Sequence, residues 1–78
     1  MFDISTKRYP NSIDFTVTIK EVAYTFEYKK SDLILKTKEE ISSKVKLDLS
    51  AHVISRYSFF KILNHMNSAI REYLKVEI

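Results

Sequence analysis

Residues 13–28 read Ile13-Asp14-Phe15-Thr16-Val17-Thr18-Ile19-Lys20-Glu21-Val22-Ala23-Tyr24-Thr25-Phe26-Glu27-Tyr28, and their pattern decides the fold. The apolar residues alternate, which is the period of a strand with one buried face. Ile13, Phe15, Val17 and Ile19 take odd positions, whereas Val22, Tyr24, Phe26 and Tyr28 take even ones. A two-residue loop at Lys20-Glu21 requires this change of parity, because the residues flanking such a loop face the same side of a hairpin. Lys-Glu is a poor sequence for a tight turn, and a wider loop is the alternative. The opposite face carries Asp14, Thr16, Thr18, Ala23, Thr25 and Glu27, a surface for solvent or for a partner.

On the N-terminal side, Phe2 and Ile4 alternate up to Tyr9-Pro10-Asn11-Ser12, which predicts a short strand and a turn with Pro at its second position. On the C-terminal side, Lys29-Lys30-Ser31-Asp32 breaks the alternation, and Leu33 to Lys36 reads as an additional short edge strand guarded by its lysines. Thr37-Lys38-Glu39-Glu40 then matches a capping box. Past it the apolar period changes from two to three or four, the spacing of helices. Ile41, Val45 and Leu49 give a first helix a narrow apolar stripe, with Lys38, Ser42, Lys44 and Lys46 outside. Leu47-Asp48-Leu49-Ser50 predicts a break, with Asp48 or Ser50 capping a long second helix from about Ser50 to Lys75. On that helix one stripe runs Val53, Tyr57, Phe60, Leu63, Ile70, Leu74, and a second runs Phe59, Ile62, Met66, Ala69, Tyr73. Together they exceed the roughly 100° of apolar arc that packing on one layer uses, so something besides the sheet covers the excess. The expected fold is α+β: an N-terminal antiparallel sheet of three or four short strands, then a short helix and a long C-terminal helix packed on one face.

A chain of 78 residues builds one small core, so residues 1–78 read as a single domain, a sheet half over 1–37 and a helical half over 38–78. A domain of that size gains appreciably from a partner subunit, so a homodimer is open. Without Cys there is neither a disulfide staple nor a thiolate metal site, which fits an intracellular, cytoplasmic setting. No apolar run approaches a membrane span, and no charged-then-apolar leader opens the sequence. The net charge of +3 is mild and leaves nucleic acid open as a partner without requiring it. The chain also has no Gly, which removes Gly-rich phosphate loops and forces any positive-φ turn onto Asn, Asp or a strained residue.

The residues that could carry chemistry do not assemble. His52 and His65 would lie more than three turns apart on one helix, too far to share a metal within a chain. Ser55, Ser58 and Ser68 have no strained elbow or oxyanion loop beside them. Glu40 is absorbed by the cap, which leaves Glu39 without a carboxylate pair. Tyr24, Phe26 and Tyr28 alternate as in aromatic stacking platforms for nucleic acid, yet they share the face that the helices need to cover. No catalytic residue, metal, cofactor or small-molecule substrate is expected.

Glu40-Ile41-Ser42-Ser43-Lys44-Val45 followed by Leu47 to Arg56 resembles a helix-turn-helix unit, although Lys46 stands where the turn usually has Gly. The resemblance implies a dimeric DNA-binding regulator in which Ser50, His52, Ser55 and Arg56 meet base edges and Lys44, Lys46 and Lys61 meet phosphates. In size and composition the chain is similar to the stand-alone inhibitors that phages and mobile elements direct at host or defence proteins. That similarity implies a non-catalytic protein-binding module acting in the host cell, which is the preferred reading. Its contact residues are then the exposed edge of the long helix, Phe59, Lys61, His65 and Arg71, with Lys44 and Lys46 as a charged rim.

Overall fold

In the computed structural model, which describes residues 2–75, Ile19 pairs directly with Val22, so Lys20 and Glu21 alone form the turn between the second and third strands. Both have positive φ, 49° at Lys20 and 69° at Glu21, the signature of a type I′ turn. The tight loop is thus adopted over the wider one. Its left-handed backbone is placed on two residues that pay a steric penalty for it, because the chain has no Gly to use.

Strands β1 (Phe2–Arg8), β2 (Ser12–Ile19) and β3 (Val22–Lys29) form an antiparallel sheet in the order β1-β2-β3. The register sets Ile13 opposite Tyr28, Phe15 opposite Phe26 and Val17 opposite Tyr24, so the large apolar residues of β2 and β3 share one face. Phe2, Ile4, Thr6 and Arg8 of β1 join that face opposite Ile19, Val17, Phe15 and Ile13. The β1–β2 turn contains Pro10 as expected, with the Tyr9 N–H donating to the Ser12 carbonyl at 2.8 Å. The other face of the sheet is the polar one and carries no helix.

Three helices follow: α1 (Lys30–Leu35), α2 (Lys38–Leu49) and α3 (Arg56–Lys75). The expected edge strand at Leu33 to Lys36 is not formed; those residues belong to α1 and the cap that ends it. A strand there would place Leu33 and Leu35 on one face, whereas only Leu33 finds core to enter and Leu35 is left in solvent. One helical turn buries Leu33 and carries the chain off the sheet, with the Lys30 N–H anchored on the Asn11 carbonyl at 2.9 Å.

The start of α2 is the capping box read from the sequence. The Thr37 side chain accepts from the Glu40 N–H at 3.3 Å, and the Glu40 carboxylate accepts from the Thr37 N–H at 2.9 Å. Ile41, Val45 and Leu49 are all buried. The second boundary differs from expectation. The long helix begins at Arg56, not Ser50, and its cap is Ser55, whose side chain accepts from the Ser58 N–H at 3.1 Å. Ser50 instead closes α2, with its hydroxyl on the Leu47 carbonyl at 2.7 Å. Residues 50–55 form a connector, and Val53, expected on the apolar stripe, is 93% exposed. The physical reason is His52, whose ring meets Tyr24 edge-on at 5.1 Å with Nε2 2.7 Å from the phenol oxygen, while Ile54 turns in against the core.

The core lies between the sheet and the α2–α3 layer. Ile62, Met66, Ala69 and Tyr73 of α3 are buried together with Leu63 and Ile70. The far end of α3 is fixed by the Tyr73 hydroxyl, which donates to the Tyr9 carbonyl at 2.9 Å. Among the described residues no helix is long and apolar enough to cross a membrane. Because Lys20 and Glu21 hold φ values that Asn and Gly adopt more cheaply, the double substitution Lys20→Asn with Glu21→Gly is expected to raise stability by about 1 kcal/mol. In a domain of this size that is a rise of roughly 4–8 °C in Tm. An unchanged or lowered thermal midpoint would show that the turn carries no such strain.

Candidate functional site

Length is the simplest reason that the helical layer is open at one end. At 1.5 Å per residue, the 12 residues of α2 span about 18 Å and the 20 residues of α3 about 30 Å. The two helices run side by side from Ile41 near Ile70 and Leu74 to Leu49 near Phe59, and there α2 stops. The flank of the first turns of α3 is closed only by the connector, which leaves a groove of about 450 Å³ between the helix ends. Leu49, Ile54, Phe59 and Phe60 give it an apolar lining, and Lys46 and Arg56 stand at its borders. Leu47, Val53, Tyr57 and Phe60 are 73%, 93%, 64% and 51% exposed at the same end of the helical layer.

The six residues expected to bind a protein are divided among several surroundings. Lys46 and Phe59 both line this groove. Lys61 lies farther along α3, its Nζ 4.7 Å from the centre of the Tyr57 ring. Lys44 places its Nζ 5.5 Å from the centre of the Tyr28 ring, and so covers core rather than groove. His65 faces β1, with Nε2 3.1 Å from the Thr6 hydroxyl, in an open polar cleft with Arg8, Asn64, Ser68 and Glu72. Arg71 borders a second, smaller groove of about 220 Å³ with Leu33, Ile41, Ile70 and Leu74.

Ser50, His52, Ser55 and Arg56, the residues of the helix-turn-helix reading, do meet at the larger groove. They are not arrayed on one helix, however, since the first three lie in the connector. Ser50 and Ser55 are engaged as helix caps and His52 on Tyr24. Phe26 and Tyr28 are buried and Tyr24 is half-buried, so the sheet aromatics are core rather than a stacking platform. The exposed aromatics Tyr57 and Phe60 were visible in the sequence only as members of an apolar stripe. Their place outside the core depends on where α2 ends, which no local pattern states.

Protein-family models, curated proteins and solved structures were compared with the chain. None matches it. The functional reading therefore rests on the groove and its surroundings. Among the described residues there is no group of three or more acidic or histidine side chains placed to hold a metal.

The electrostatic perturbation under the helical layer falls on Tyr28 of β3. Its ring packs edge-on to Phe15 at 6.3 Å beneath Lys36 and Lys44, and its hydroxyl is buried with no hydrogen-bond partner among the described residues. Burial pushes the phenol up to about 12, with the negative charge of Asp48 adding to the effect. The folded state therefore holds this proton more tightly than the unfolded chain, and stability present below about pH 10 is lost as pH rises toward 12. Tyr28→Phe removes a buried group that has no partner, so it is expected to keep or raise stability at neutral pH and to flatten the alkaline loss. Denaturant midpoints of both proteins across alkaline pH check this; an equally steep loss in the variant would place its origin elsewhere.

Proposed function

We propose that this chain is a non-catalytic protein-binding module whose contact surface is the open end of its helical layer. The observation that supports this reading is the set of exposed apolar side chains near the end of α2, in the connector and at the start of α3, Leu47, Val53, Tyr57 and Phe60, the last of which also lines the groove. Exposed large apolar side chains gathered at one end of a small domain fit an interaction site, and aromatic and Arg side chains are enriched among the residues that carry binding energy. Such a module alters its partner by covering a surface, as do the phage and mobile-element inhibitors that its composition resembles.

Duplex DNA is the second reading, favoured by the meeting of Lys46 and Arg56 with Ser50, His52 and Ser55 at one groove. The two readings part on a single experiment, recovery of the tagged chain from its native cells with and without nuclease. The protein-binding reading predicts a stoichiometric protein partner that survives nuclease and is lost with Tyr57→Ser/Phe60→Ser, a variant of exposed residues that is expected to keep the parent's thermal midpoint. Retention of nucleic acid alone, with affinity for duplex DNA that falls steeply with salt and is lost with Arg56→Ala, would overturn it.

A further inference from the structure

The chemistry of the groove narrows what can occupy it. Of its polar side chains, Ser50 and Ser55 are used as helix caps and His52 on Tyr24. What remains to offer a ligand is an apolar floor of Leu49, Ile54 and Phe59 and two cations, Lys46 and Arg56, with no carboxylate among the lining residues. The neighbouring acid, Asp48, exerts its charge on Tyr28 on the core side of α2. Resting on the protein-binding reading, we propose that the groove receives an acidic amphipathic segment of the partner protein. One bulky apolar side chain of that segment seats on Leu49, Ile54 and Phe59, and its flanking carboxylates pair with Lys46 and Arg56.

Two physical arguments favour this occupant. A phosphate backbone satisfies the cations but leaves the apolar floor wet, whereas an amphipathic segment satisfies both. A second copy of the chain meeting this one groove to groove brings Lys46 and Arg56 against their own counterparts, and like charges across an interface disfavour it. A volume of about 450 Å³ also accepts a Leu, Phe or Trp side chain.

The test uses the full chain and a panel of synthetic Glu-rich amphipathic peptides with a single Leu, Phe or Trp anchor. Binding is read by fluorescence anisotropy and located by amide chemical-shift changes. The expected result is shifts centred on Lys46, Leu49, Ile54 and Phe59. Affinity is expected to fall about ten-fold or more when the peptide Glu residues become Gln, when the anchor becomes Ala, or in Lys46→Glu/Arg56→Glu. Because both substituted residues are exposed, the variant is expected to keep the parent's thermal midpoint. No binding, equal binding of the Gln peptides, shifts centred on α1 or the sheet, or dimerisation through this end would each overturn the proposal. Capture from native cells separates the two levels of inference. A protein partner kept by Lys46→Glu/Arg56→Glu but lost by Tyr57→Ser/Phe60→Ser contradicts the acidic occupant and leaves the binding module standing. No protein captured by the parent chain overturns both.

Discussion

The pairing of Ile19 with Val22 is the constraint from which the rest of this molecule follows. Since side chains alternate across a strand, a shift of one residue in that pairing would send Tyr24, Phe26 and Tyr28 to the polar face and strip β3 from the core side of the sheet. The two-residue turn prevents the shift, at the cost of placing Lys20 and Glu21 in left-handed backbone. That cost is tolerated because it is local and modest, whereas the shift would take Phe26 and Tyr28, two of the largest fully buried side chains, out of the core.

With one apolar sheet face fixed, the helices must provide its cover, and they do so unequally. The long helix α3 lies over the sheet and is tied to Tyr9 through Tyr73. The shorter α2 covers only part of its flank, entering at the Thr37 capping box and ending at Leu49. The groove is thus a product of mismatched helix lengths, and the connector that borders it is braced by His52 against Tyr24. The floor of the groove, Leu49, Ile54 and Phe59, belongs to the core or packs against it, whereas Leu47, Val53, Tyr57 and Phe60 at the same end stand outside it and can change contacts without disturbing the sheet. That separation of stabilising and contacting residues suits a module that works by docking.

Much of the fold was legible in the sequence because its determinants are local. Parity gives the hairpin, the Thr37–Glu40 spacing gives the start of α2, and the apolar stripes give the core residues of α2 and of α3 beyond Phe60, while Val53, Tyr57 and Phe60 of the same stripes stand in solvent. Leu33 to Lys36 was misread because three apolar residues in a row fit a strand and a single helical turn equally well, and burial of Leu33 alone decides between them. The connector was misread because Val53 and Tyr57 keep helical spacing and neither Gly nor Pro interrupts the run. Contact with Tyr24, distant in sequence, holds His52 out of helical backbone. The candidate site was less legible for the same reason. Lys46 and Phe59 stand out in the sequence only as a charged rim and a helix edge, and the groove they line with Arg56, Leu49 and Ile54 exists only once α2 and α3 are placed side by side.

Hydrogen–deuterium exchange of the chain, free and bound to the protein recovered with it from native cells, locates the contact surface most directly. Added protection concentrated between Lys46 and Phe60, with β2 and β3 unchanged, is the predicted result. Added protection confined to the strands behind Thr16, Thr18 and Thr25, with the α2–α3 end exchanging as in the free chain, would place the contact on the open face of the sheet and contradict docking at that end.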